Sequence, residues 1–140
     1  MSLHCVDASV VVAWLVPSQR SAPVEDIWLG YTKGKEEFVA PPLLPAEALS
    51  AIRRLESRGL LSQEEATGLV EDFLSLPIFM PSPAGLYERA YDLAAQYRRS
   101  TVYDTCYLAL AEMLGCELLT LDHGLYNAAK SDFATVKLVE

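Results

Sequence analysis

Short apolar runs of strand length alternate along this chain with longer stretches whose apolar residues recur at helical spacing, and two of those runs lead directly into an aspartate. Leu3 to Val6 is followed by Asp7, and Glu117 to Leu121 by Asp122. A strand that is apolar at successive positions must be covered on both faces, and helices placed between strands do this for a parallel sheet. The expected fold class is therefore α/β, an α/β/α sandwich with a central, mostly parallel sheet of about four to five strands. At 140 residues and 51% hydrophobic content, the chain has the size and apolar content of one domain spanning 1–140, with no repeat, linker or low-complexity tract.

The periodicity sets the remaining elements. Helices are expected from about Ala8 to Leu15, from near Ser21 with Pro23 in the first turn, and from Leu44 to a glycine cap at Gly59. Ser62 and Glu65 form a capping box for the next helix, and Ser82 with Pro83 starts another that runs to about Arg99. A helix from Val102 to Leu114, apolar nearly all round, should be central. Phe38 to Ala40 and Thr135 to Val139 read as strands, Pro77 to Met80 as a weak strand or extended chain, and His123 to Lys130 as a short helix. The stripe Val24, Ile27, Trp28 and Tyr31 fits core packing, with an interface contact as the alternative reading.

Composition restricts the function. The longest apolar stretch, Ala8 to Val16, is too short for a membrane span and lacks a basic lead, so a soluble cytoplasmic protein is expected. Cys5, Cys106 and Cys116 form no CxxC pair, and His4 and His123 do not supply zinc-site spacing, so reduced core cysteines are expected. The net charge of −8 opposes nucleic-acid binding by a broad basic surface. Four carboxylates bound to cations would account for half of that charge.

Four acids are out of place for solvated side chains. Asp7 and Asp122 sit at carboxyl ends of strands, the edge where open α/β sheets hold ligands. Asp104 lies in the first turn of the most apolar helix, and Glu47 shares the stripe Leu44, Ala48, Ala51 and Leu55. Each has a simpler account: Asp7, Asp104 and Asp122 could cap helices, and Glu47 could pair with Arg54 or Arg58. All four together are harder to explain so, because this connectivity brings both strand ends and both helix starts to one mouth. Carboxylates about 4 Å apart repel by roughly 1 kcal/mol per pair even in water, so some are protonated or cations sit among them. Oxygen donors without histidine or thiolate favour Mg²⁺ or Mn²⁺, ions suited to phosphoryl transfer.

Four segments, VDASVVVAWLVP, PPLLPAEALSAI, TVYDTCYLALAEMLGC and LLTLDHGL, occur in an order and at separations that resemble the PIN-domain family, in particular the VapC-like toxins of toxin–antitoxin pairs. The resemblance covers nearly the whole chain. It implies a PIN-like sandwich, Mg²⁺- or Mn²⁺-dependent endoribonuclease activity, a homodimer, and inhibition by a cognate antitoxin protein. Asp7, Glu47 and Asp104 match the family's acidic trio, Asp122 its more variable fourth acid, and Ser9 and Thr120 its small hydroxyl positions beside the site. It implies that Asp7 and Asp104 hold the main metal, with Glu47 and Asp122 assisting. The chain departs from the pattern after Asp122, where His123, Gly124, Leu125, Tyr126 and Asn127 replace the frequent Arg or Lys.

Phosphate contacts are expected from Arg98 and Arg99, with Arg54, Arg58, Lys33 and Lys35 as further rim cations, although each taken singly reads as an ordinary solvated charge, and single-stranded or looped RNA is the expected substrate. Two other readings stay open. One is a catalytically idle PIN-like module that binds RNA or a partner. The other is a different phosphate-handling α/β enzyme, which would need a GxxxxGK[ST], a GxGxxG or a second Asp two residues after Asp7; Ser9 stands there instead.

Overall fold

The computed structural model describes residues 2–140. Four strands, β1 (Ser2–Val6), β2 (Glu36–Val39), β3 (Glu117–Thr120) and β4 (Val136–Leu138), form one parallel sheet in the order β2-β1-β3-β4. Seven α-helices join and cover them: α1 (Ala8–Leu15), α2 (Ala22–Thr32), α3 (Leu44–Ser57), α4 (Gln63–Leu74), α5 (Leu86–Gln96), α6 (Tyr103–Leu114) and α7 (His123–Ala129). β1 and β3 are neighbours in the middle of the sheet, with Val6 opposite Leu119, so the residues after both strands emerge side by side. The expected α/β architecture is observed.

Local chemistry accounts for most boundaries. Asp7, Ser21 and Asp122 cap α1, α2 and α7 by accepting backbone N–H groups, and Ser62 and Glu65 close the expected capping box in front of α4. The helix expected from Ser82 begins instead at Leu86. Pro83 serves a turn whose carbonyl accepts the Leu86 N–H at 3.1 Å, and Gly85 takes φ 89°, a left-handed conformation that prevents helix upstream of it. The second strand lies at Glu36–Val39 rather than Phe38 to Ala40. Pro77 to Met80 supplies only a bridge, with the Ala40 N–H donating to the Phe79 carbonyl at 3.0 Å beyond the outer edge of β2.

The aromatic stripe of α2 is largely core. Val24 and Trp28 are fully buried, and Trp28 stacks on Trp14 at 5.3 Å and meets Phe38 edge-on at 4.8 Å. The interface reading of Trp28 is thereby corrected: its ring fills the space between α1, α2 and β2. The three cysteines are buried free thiols. Among the described residues no helix is long and apolar enough to cross a membrane.

Candidate functional site

At the carboxyl edge of the sheet, the chain leaves β1 through Asp7 and β3 through Leu121 and Asp122. Two hydroxyls interlock these exits. Ser9 Oγ donates to Asp7 Oδ1 and accepts the Leu121 N–H at 3.0 Å; Thr120 Oγ1 donates to Asp7 Oδ2 and accepts the Asp122 N–H at 3.0 Å. Val10 N–H adds a third donor to Asp7 at 3.3 Å. Asp7 is therefore held at both oxygens, at Oδ1 by groups of α1 and at Oδ2 by the last residue of β3, and it remains only 8% exposed. Burial pushes its carboxyl up from the ordinary 3.8 to about 6, against the lowering effect of these donors and with a further rise from the charge of Asp104.

Glu47, in the first turn of α3, is half-buried and accepts the Tyr107 hydroxyl at 2.7 Å. Burial raises its pKa first of all, Tyr107 opposes this, the Asp104 charge adds to the rise and Arg54 lowers it. Asp104, in the first turn of α6, is also raised by burial and then by Asp122, while Arg99 lowers it. Arg99 reaches Asp104 Oδ2 at 3.6 Å. Asp122 accepts the Leu125 N–H at 3.0 Å through Oδ1.

The four expected carboxylates thus form one electrostatic set, each coupled in charge to at least one other, drawn from β1, α3, α6 and the turn after β3. Capping does not account for Asp104, since no side chain caps α6. Nor does an intrahelical ion pair account for Glu47, whose close partner is Tyr107 on α6. Among the described residues no three carboxylate, histidine or cysteine side chains close into a coordination shell by themselves. The donor chemistry is all oxygen and mutually repulsive, which suits a hard cation that keeps part of its water.

Among the expected cations, Arg99 lies within the set. A Cβ at Gly124 would come 3.2 Å from Asp122 Oδ1 and 3.9 Å from the Arg99 guanidinium, so Arg99 brings positive charge beside the segment that lacks Arg or Lys after Asp122. Arg98 is exposed, in a left-handed conformation with φ 53°, and makes no ion pair among the described residues. His123 is an exposed surface residue that meets Glu140 at 3.0 Å. Ser9 and Thr120 stand beside the site with their hydroxyl protons directed to Asp7. Tyr107 was not anticipated; its signal is a tyrosine one turn after Asp104 in an otherwise aliphatic run, where a buried hydroxyl needs a partner. A cavity of about 730 Å³ lies along β2 between Tyr31, Phe38 and Phe79 and includes none of these acids.

The family model for the PIN domain matches residues 4–131. This chain belongs to the PIN-domain family. Among curated PIN-domain relatives, Ribonuclease VapC3 of Pyrobaculum aerophilum is 35% identical over 124 residues, covering 86% of this chain and 89% of that protein. Ribonuclease VapC12 of Mycobacterium tuberculosis is 35% identical over 117 residues, 84% of each chain. The fold resembles the crystal structure of PAE2754 from Pyrobaculum aerophilum, with TM-score 0.67 and 24% identity over 94% of this chain and 90% of that one. It also resembles Mycobacterium tuberculosis VapC20, described as a sarcin-ricin loop cleaving toxin, with TM-score 0.62 and 16% identity over 89% and 94% of the two chains.

Proposed function

We propose that this PIN-domain protein is a Mg²⁺- or Mn²⁺-dependent endoribonuclease, the toxin of a toxin–antitoxin pair. The observation that carries the reading is the set of four charge-coupled carboxylates at the carboxyl edge of β1 and β3, three of them with pKa values raised by burial and like charge. The names of its VapC relatives supply the substrate class, RNA, and with it a cognate antitoxin protein as partner. A homodimer and a cytoplasmic location complete the proposal.

Asp7 and Asp104 would be the principal holders of the cation, with Glu47 and Asp122 flanking them. Such an ion supplies a more acidic bound water and neutralises charge on the leaving oxygen of a phosphodiester. The protein's own groups keep this set in place. Ser9, Thr120 and Val10 fix both oxygens of Asp7, Tyr107 orients Glu47, and the α7 amide of Leu125 orients Asp122. Arg99 beside Asp104 provides a cation for a phosphate oxygen at the same edge. The hydroxyl donors also favour an ionised Asp7, the form able to hold a cation.

The test is incubation of purified protein with single-stranded and structured RNA in Mg²⁺, Mn²⁺ or EDTA, beside Asp104→Asn. Cuts that require the divalent ion and vanish in the variant are expected. Cleavage that survives EDTA or the substitution would overturn the proposal, and intact RNA in every condition would favour a binding module.

A further inference from the structure

Next to Glu47, a solvent-open cleft of about 320 Å³ is lined by Leu43, Ala46, Glu47, Ser50, Arg54 and Tyr103. Tyr103 begins α6, one residue before Asp104, and is 56% exposed. Among the described residues its hydroxyl makes no hydrogen bond and its ring no aromatic pair, in contrast to Trp14, Trp28, Tyr31 and Phe38, which pack on one another. An aromatic side chain that gains so little from the fold, placed beside an acidic centre, is available to a ligand. Arg54 projects from the same helix as Glu47, two turns on, and lines both this cleft and a second one of about 470 Å³ that holds Ser9, Glu47 and Arg58. Glu47 and Arg54 are thus common to both clefts.

We propose that the Tyr103 cleft is a nucleobase subsite: an unpaired base flanking the cut stacks on Tyr103 while its phosphate meets Arg54. The proposal rests on the reading that RNA is the substrate. Three features fit a short single strand of nucleic acid. The cleft combines one flat aromatic face with one guanidinium, the pairing that sequence-tolerant single-strand sites use. Ser50 offers a hydroxyl suited to a ribose. The overall charge of −8 leaves few cations for a duplex backbone, so affinity for one short strand must come from stacking as well as charge. Stacking tolerates any base, so this subsite would demand an unpaired nucleotide without naming it, and selectivity for a particular RNA would come from elsewhere.

The experiment pairs protein and substrate changes. A short RNA with one strong cut site is prepared intact and with an abasic residue at each position flanking the cut, and wild type, Tyr103→Phe and Tyr103→Ala are compared for KM and kcat. In parallel, the same strand carrying 2-aminopurine reports stacking by fluorescence quenching in Mn²⁺. Expected results are a KM about tenfold to a hundredfold higher for Tyr103→Ala, near wild-type behaviour for Tyr103→Phe, and loss of the Tyr103→Ala penalty on the one abasic substrate whose missing base occupied the cleft. The 2-aminopurine at that position should be quenched by wild type and not by Tyr103→Ala. Equal KM and equal quenching in all three proteins would overturn the subsite while leaving the nuclease reading intact, and would assign the exposed ring to a protein partner. If wild type cuts nothing, the nuclease reading fails, and the quenching arm still decides whether Tyr103 stacks on a base.

Discussion

The strongest quantitative consequence of the site is that Asp7 should weaken the metal-free fold at neutral pH. Its carboxyl is 8% exposed and is raised from 3.8 to about 6, close to two pH units at about 1.4 kcal/mol each, or about 3 kcal/mol against the ionised form. The sign follows from proton counting: between about pH 4 and pH 6 the folded chain holds a proton that the unfolded chain has lost, so this group's contribution to stability falls as pH rises through that window. Asp7→Asn removes the ionisation and keeps the shape. It also loses some strength in the bonds from Ser9, Thr120 and Val10, so the net gain at pH 7.5 in EDTA is expected at roughly 1–3 kcal/mol, on the order of 4–10 °C in Tm. At pH 4 the gain should vanish or reverse. Glu47 and Asp104 share the direction of the shift, and comparing variant with wild type at each pH cancels their part apart from the charge coupling of Asp104 to Asp7, which the substitution also removes. The assay is urea unfolding in EDTA from pH 4 to 8. A difference between the two proteins that is the same at pH 4 and pH 7.5 would show that the buried charge of Asp7 does not weaken the fold.

Other perturbations follow from the same geometry. Mn²⁺ at pH 7.5 should raise the Tm of wild type more than that of Asp7→Asn, and equal shifts would place the ion elsewhere. Tyr107→Phe removes the hydroxyl that favours ionised Glu47, so RNA cleavage should fall more at pH 6 than at pH 8; a uniform fall would point to a packing effect. Arg99→Ala should lower cleavage at least several-fold while Arg98→Ala leaves it near wild type, as read from initial rates on one RNA. Glu112→Ala breaks a two-point but solvent-exposed pair with Arg89 and should change urea stability by less than about 1 kcal/mol.

Much of this site was legible because burial makes a carboxylate conspicuous. Asp7 and Asp122 stand at the ends of apolar runs, and Asp104 and Glu47 on apolar helical faces, so periodicity alone separates them from the other acids. The contacts between elements were not legible. Nothing in the spacing of Tyr107 and Glu47, 60 residues apart, says that α6 and α3 bring them to 2.7 Å. Nor does the adjacent pair Arg98 and Arg99 announce that a left-handed residue sends only the second to Asp104. The late start of α5 has the same origin: Pro83 fits a first helical turn equally well, and Gly85 decides the matter through a backbone angle that composition does not reveal.

The capping and functional accounts of these aspartates turn out to be compatible. Asp7 and Asp122 each accept a helix amide through Oδ1, so the helices that they start also hold them in position at the sheet edge. Positive charge from those amides, Arg54 and Arg99 offsets part of the repulsion. Asp7, Glu47 and Asp104 nevertheless retain raised pKa values, first of all through burial and then through like charge. A cap selected for stability alone has no reason to be buried, as Asp7 is, within the field of a second carboxylate. The buried charge and the repulsion that adds to it are a cost that the fold bears without a cation, and a divalent ion would turn them into binding energy. On this argument the local instability of the edge and its affinity for metal have one origin, and single substitutions should trade one against the other.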